Sequence, residues 1–545
     1  MANFAGQSIS ESYQRVLQVD GGEIQDGSGN RVDGTIKSLV VQNALSAATV
    51  NELKIGLGNG GIDGNLAVGK NTLASNTTGT GNIALGNGAL RYNTIGNSNV
   101  AIGLIALRQN TTGTNNIAIG ETSLINNTEG FNNVALGQNS LQSNTTGIRN
   151  VAIGSNVLQQ NTIGNANIAI GETILTSNTE GNFNIALGSQ TLRNNSIGAQ
   201  NIALGAQALY SNSTGNGNIA QGRNALYYNT TGNYNVALGY SALNKNTYGE
   251  GNIAIGQGAL LSNTIGYNNV AIGSNTLTSN ISGQNNIAIG LGAMQAKDPA
   301  NEGNDNIALG GSTLAANTTG DKNIALGPSA LKQNTIGSQN IALGYNSLSE
   351  NTEGNNNIAL GYKALTSNTI GQQNIALGLY ALQQNTEGSG NVALGYRALR
   401  QNNTGVNNIA LGYSALRDNS AGNQNIALGQ NALCYSTTGN NNVALGYNAL
   451  LINTEGNNNV ALGYNALSQN TTGLFNTGLG VNVQSNNFSG SIILGAGATS
   501  TDNGQLSLGS PTYPIGPVVN ETVISTQTLE INLNGSLYKV LLRKV

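Results

Sequence analysis

Few residues in this chain could carry chemistry. Histidine is absent, and Cys434 is the single cysteine. Without histidine, neither a Ser-His-Asp triad nor a histidine-bearing metal site can be built, and one thiol supports neither a thiolate cluster nor an intrachain disulfide. Carboxylates remain, and two of them at a suitable separation could cleave a glycosidic bond. Yet Glu129, Glu180, Glu353, Glu387 and Glu455 each stand directly before a glycine, in a turn where a solvated charge costs nothing. The expectation is a protein that is not an enzyme and that uses no cofactor and no metal. Tyrosine is the one reactive type with a pattern. Tyr240, Tyr345, Tyr362, Tyr396, Tyr413, Tyr447 and Tyr464 all follow the same repeated glycine. They are candidate contacts for a receptor, as aromatic platforms for sugars, and the competing reading is packing between neighbouring turns of the chain.

Composition narrows the class further. Of 545 residues only 8% are charged, tryptophan is absent, and there are 76 glycines against 5 prolines. A mixed globular surface is not being built. The formal net charge is -3 and no run of lysine and arginine occurs, which argues against a nucleic-acid partner. No run of eighteen apolar residues occurs, so membrane insertion is not expected, and Met1-Ala2-Asn3-Phe4-Ala5-Gly6 lacks the basic start of a secretory signal. The expectation is assembly in a cytoplasm.

The positioning elements emerge from self-comparison. The run Asn-Ile/Val-Ala-Ile/Leu-Gly recurs every 17 residues, with its glycine at 69, 86, 103 and on to 290, then from 310 to 480. Only Lys297-Asp298-Pro299 interrupts the period, and the spacing shortens beyond Gly480 to Gly495 and Gly509. Among these 25 units the leading position is always Asn, the position two before the glycine is Ala in 24, and Leu four after it and Asn seven after it each hold 23 places. Ile and Leu flanking Ala alternate as in a strand, whereas Asn-Thr-x-Gly is a turn signal. Each unit therefore reads as two short extended segments separated by two corners. Such a unit buries too little to stand alone, so the fold expected is all-β, a parallel solenoid of about 25 stacked coils in which the asparagines form amide ladders. If Ile and Leu point into the coil, Ala lies on its other face. Near-exclusive Ala there implies a close backbone neighbour, for which the expectation is a sister subunit in a homotrimer.

The ends do not follow the repeat. Residues 1–60 carry the strand-like run Tyr13 to Val19 and the turn Asp20-Gly21-Gly22, and 61–490 is the repetitive shaft. Residues 491–545 hold two strand-like runs around Asn534-Gly535, a hairpin signal, and so read as a β cap.

The Asn-Ile-Ala-Leu-Gly, Ala-Leu, Asn-Thr-Thr-Gly array over residues 65–490 resembles the repeats of bacteriophage tail fibres, of cyanophages in particular. It is similar, more loosely, to the Ala-Ile-Gly coils in the heads of trimeric autotransporter adhesins. The stretch Leu508-Gly509-Ser510-Pro511-Thr512-Tyr513-Pro514 before the hairpin also resembles the endings of such phage proteins. The resemblance implies a virion tail fibre: a homotrimeric rod whose amino-terminal module docks to tail or baseplate proteins, with Tyr13, Arg15 and Leu17 as candidate docking residues. Its carboxy-terminal tip would face a host surface receptor of glycan type, adding Tyr513 and Tyr538 to the candidate contacts. A bacterial surface adhesin, a fibre of a phage-like injection particle and a polysaccharide depolymerase are the alternatives.

Overall fold

The computed structural model describes residues 61–296 and 302–514 continuously, together with 53–59 and the strand residues 18–20, 23–25, 48–50, 527–533 and 536–542. The shaft is a parallel β-solenoid. Twenty-five three-residue strands, from Leu66–Val68 to Thr477–Leu479, each pair with the strand of the next coil. Like meets like along the rod: Ile83 pairs with Val100, Ala84 with Ala101 and Leu85 with Ile102. The step that carries the insertion keeps this register, Ala288 pairing with Ala308, so the extra residues leave the wall undisturbed. The stack continues past residue 490 through Ile492–Leu494 and Leu506–Leu508, on shorter coils. At the other end Leu53–Gly56 runs antiparallel to Leu66–Val68 and to Ala48–Val50, which covers the first edge of the sheet. With rungs about 4.8 Å apart, the stacked strands make a rod about 125 Å long. No α-helix occurs among the described residues.

Two antiparallel pairs flank the solenoid in sequence. Gln18–Asp20 pairs with Glu23–Gln25, and Gln527–Leu533 pairs with Ser536–Leu542 so that Leu533 opposes Ser536. The docking candidates Tyr13, Arg15 and Leu17 lie outside the described residues, as do Lys297, Asp298 and Pro299.

The interior reverses the expected assignment of faces. Ala84, Ala89 and Leu90 are fully buried, and their equivalents in the other coils are buried with them, whereas Ile83 and Leu85 point outward. The reason is space. A coil of 17 residues folded around one leucine leaves room for a methyl group on the strand and nothing larger. In the last full unit Gly478 replaces the alanine, and a Cβ there would lie 2.7 Å from Leu467 Cγ. The close neighbour that the alanine column demands is therefore the chain itself, and the alanines supply no argument for a sister subunit.

The second extended segment is also absent. The buried leucines sit in the left-handed region, Leu90 at φ 49° and Leu107 at φ 52°, as do residues two places earlier such as Asn139 and Asn156. That conformation costs a leucine about 1–2 kcal/mol, and full burial of the side chain, about 1.5–3 kcal/mol, offsets it. The turn is nevertheless tied from coil to coil: Leu90 N donates to Ala106 O at 3.1 Å and Tyr92 N to Arg108 O at 2.9 Å.

Buried amides complete the core. In the leading asparagine column, Asn82 Oδ1 accepts from Asn99 N at 3.0 Å and from Asn99 Nδ2 at 3.1 Å. In the second column, Asn110 Nδ2 donates to Asn93 Oδ1 at 2.7 Å. Both columns also donate to one carbonyl per coil, Gly96 O receiving Asn82 Nδ2 at 2.9 Å and Asn93 Nδ2 at 3.0 Å. A Cβ on Gly96 would lie 2.5 Å from Asn93 Oδ1, so glycine at this corner follows from crowding. The strand-end glycine has a second cause besides crowding: a Cβ on Gly86 would lie 2.4 Å from Gly103 O, and its φ of 129° is one L side chains rarely adopt. Threonine after the second asparagine donates outward along the rod, Thr94 Oγ1 to Thr111 O at 2.9 Å. Every element of the repeat thus has a partner one coil away.

Candidate functional surface

Two features of the shaft are left facing outward by this architecture. The first is a consequence of the reversed strand. Of the 50 outward positions on the twenty-five strands, all but Gln221 and Thr477 are Ile, Leu or Val. Ile117 and Ile119 are 37% and 38% exposed, in the same coil whose Ala118 is fully buried. The stripe is two side chains wide and runs the length of the rod, roughly 800 Å² from the strand spacing and the rise per residue. Soluble monomers rarely expose an apolar patch beyond a few hundred Å².

The second feature is the corner just beyond the strand-end glycine, where the sequence places its tyrosines. Tyr345, Tyr362, Tyr413, Tyr447 and Tyr464 are 40 to 50% exposed. Their rings stack along the rod axis. Tyr345 and Tyr362 lie 5.5 Å apart between centroids at 15°, Tyr396 and Tyr413 5.1 Å apart at 22°, and Tyr447 and Tyr464 5.3 Å apart at 9°. Stacking turns the ring faces toward one another and leaves edges and hydroxyls to solvent. The gap between Tyr362 and Tyr396 is closed by Tyr380, one residue further along its coil, which meets both edge-on at 90° and 74°. A row of five coils results. Gln430 interrupts it before Tyr447 and Tyr464.

Cations accompany this row. Lys363 Nζ lies 5.5 Å from the Tyr362 ring, Arg397 4.8 Å from Tyr396 and Arg400 5.8 Å from Tyr380. Arg417, by contrast, is held by Asp418 at 2.5 Å, a pairing that raises its pKa. Tyr240 is exposed but stands alone, Tyr513 is exposed beyond the last stacked strand, and Tyr538 pairs with Ile531 in the carboxy-terminal hairpin. Column-by-column reading missed Tyr380, because it sits one place out of register, and the three cations. It also missed Tyr210 and Tyr227, which stack at 4.9 Å and 1° on a different column, although their spacing of one coil was a readable signal. Burial and the neighbouring Tyr210 raise the pKa of Tyr227.

The interior holds one reactive group. Cys434 is buried, and desolvation pushes its pKa up to about 11, so it is a poor nucleophile at neutral pH. Among the described residues no three acidic or cysteine side chains gather where a metal ion could be held. No helix of the described residues is long and apolar enough to cross a membrane. No protein-family model and no curated protein sequence matches the chain.

Proposed function

We propose that this chain is the shaft of a fibre, a self-associating rod of the bacteriophage tail-fibre type that holds a host-binding tip away from the particle bearing it. The observation that carries the reading is the aliphatic stripe, interrupted only at Gln221 and Thr477 on the twenty-five strands, along a rod about 125 Å long. Its area, roughly 800 Å², equals what one partner contributes to a standard stable interface. A second and a third copy of the same chain offer the same period, so apolar walls can meet rung for rung around a common axis, and a homotrimer satisfies this with closed symmetry. The isoleucines and leucines, which face outward, rather than the internal alanines, supply the surface for association. In this reading residues 1–60 attach to tail or baseplate proteins and residues 491–545 lie toward the host.

Light scattering coupled to size exclusion tests the association, with a mass three times 55.6 kDa expected. Electron microscopy of the parent particle, decorated with antibodies to residues 1–60 and 491–545, tests the attachment. A monomeric rod, or no decoration of the particle, overturns the corresponding half of the reading.

A further inference from the structure

The tyrosine row is more than the coil needs in order to fold. The same corner carries Lys70, Asn87, Glu121, Ser155, Ala206 and Pro328 in other coils, and those coils stack in the same register. Tyrosines accumulate only from Tyr345 onward, in consecutive coils, together with Lys363, Arg397 and Arg400. None of these three cations has a carboxylate partner among the described residues, and Arg397 Nε is buried without an acceptor. The acids of the same coils, Glu353 and Glu387, lie beyond the second buried asparagine column, at the next corner of the coil. The other acids of these coils are Glu350 and Asp418, both six places beyond the strand-end glycine, and Asp418 is paired with Arg417.

The chemistry offered is that of donors in a line. Phenol hydroxyls recur once per coil, none of them hydrogen-bonded within the chain among the described residues, and ammonium and guanidinium groups are interleaved with them. A complementary ligand must be linear, rich in acceptors and anionic, with a repeat near the 5.1 to 6.3 Å between successive rings. One sugar residue of an extended polysaccharide has that length. A single-stranded nucleic acid fits worse, because it binds by stacking bases on open aromatic faces, and here the faces are covered by neighbouring rings and cations. We infer that the row from Tyr345 to Tyr413 binds an acidic polysaccharide laid along the rod, its carboxylate or sulfate groups met by Lys363, Arg397 and Arg400 and its hydroxyls by the tyrosines.

The inference deepens the fibre reading, on which it rests, by giving the shaft itself a partner on the host surface. It is measured on purified rod, so its failure is separable from failure of the particle to carry the fibre. The experiment is affinity electrophoresis of the full chain through gels containing polygalacturonate, dextran sulfate, neutral dextran or poly(dT). Retardation by polygalacturonate or dextran sulfate, weakened by salt, is expected, and which of the two acts more strongly identifies the anionic group. The variant K363Q/R397Q/R400Q should lose about ten-fold in affinity, and Y362F/Y396F/Y413F, which keeps the rings and removes only hydroxyls, about three-fold. Tyr240→Phe, away from the row, should change nothing. The inference is overturned if neither acidic polymer retards the protein, if neutral dextran or poly(dT) retards it as strongly, or if the charge variant binds as the unmodified chain does.

Discussion

The two sides of a single strand make the instructive comparison in this protein. Alternate residues of Ile253-Ala254-Ile255 differ by three carbons, yet the smaller one is buried and the larger ones face outward. On the inner side the neighbours are fixed by covalent geometry: a coil this short brings its own leucine against the strand, as Leu467 lies against Gly478. On the outer side none of the described residues lies opposite, so the chain itself sets no limit on size there. In a globular domain the large apolar groups would occupy the core and amides the surface. Here buried amides are tolerated because, the Oδ1 atoms of Asn280 and Asn419 aside, they are satisfied by their counterparts one coil away, which turns a desolvation cost into a register device.

Exchanging the two sides breaks the comparison most severely. Asn235→Leu removes the acceptor used by Asn252 N at 3.0 Å and leaves that buried N–H unpaired. Chemical denaturation should register a loss of about 2–4 kcal/mol, with hydrogen exchange fastest in the adjoining coils, since solenoid stability is a nearest-neighbour sum. A loss well below that would mean the amide ladder is not part of the core.

An interior thiol sharpens the same contrast by pH. The folded pKa of Cys434, about 11, stands above its ordinary 9.0 because burial disfavours the thiolate. Its contribution is therefore present in full below pH 9 and is lost as pH rises through about 11, where the unfolded chain ionises first. Cys434→Ala should flatten the alkaline decline of the melting temperature by the equivalent of about 3 kcal/mol at most. An unchanged alkaline limb would show that the thiol is not held in an apolar site.

The ladder has one flaw that can be repaired. Ser436 stands where asparagine recurs, and both its own Oγ and the Oδ1 of Asn419 lack partners. Ser436→Asn should gain about 1 kcal/mol in the same denaturation assay, one orphaned acceptor being recovered. A destabilised variant would indicate that Cys434 and Tyr435 have reshaped that corner.

The smallest effect on the isolated coil is expected on the outer side. Leu238→Asn, on the aliphatic stripe, should alter monomer stability by less than about 0.5 kcal/mol. Introduced with Leu204→Asn and Ile272→Asn, however, it should shift the light-scattering mass toward the single chain. A large stability loss without a change in mass would make the stripe part of the chain's own core and remove the argument for association.

Much of this was legible in the residues and some was not. The period, the parallel register and the amide ladders were readable because asparagine at a fixed place in every coil has few other uses. Tyr345 and its partners could be placed on an exposed column because the same column holds Lys70, Glu121, Arg223 and Pro328 in other coils. The inward face was misread because alternation says only that Ile and Ala lie on opposite sides, and the usual preference for burying the larger one decided wrongly. The three cations beside the tyrosines were invisible to a column reading, since they come from neighbouring columns that meet only at the corner.

Taken alone, the order of residues determined that the chain repeats every 17 residues, stacks like on like and cannot assemble histidine-based or thiolate-cluster chemistry. Only the tertiary structure decided which side of the strand is inside. The physical reason is volume: a 17-residue coil that already encloses a leucine, its turn left-handed at Leu90 and its equivalents, admits a methyl group on the strand, whereas the shorter coils beyond Gly480, which lack that leucine, bury Ile493, and no pattern of hydrophobicity encodes that width.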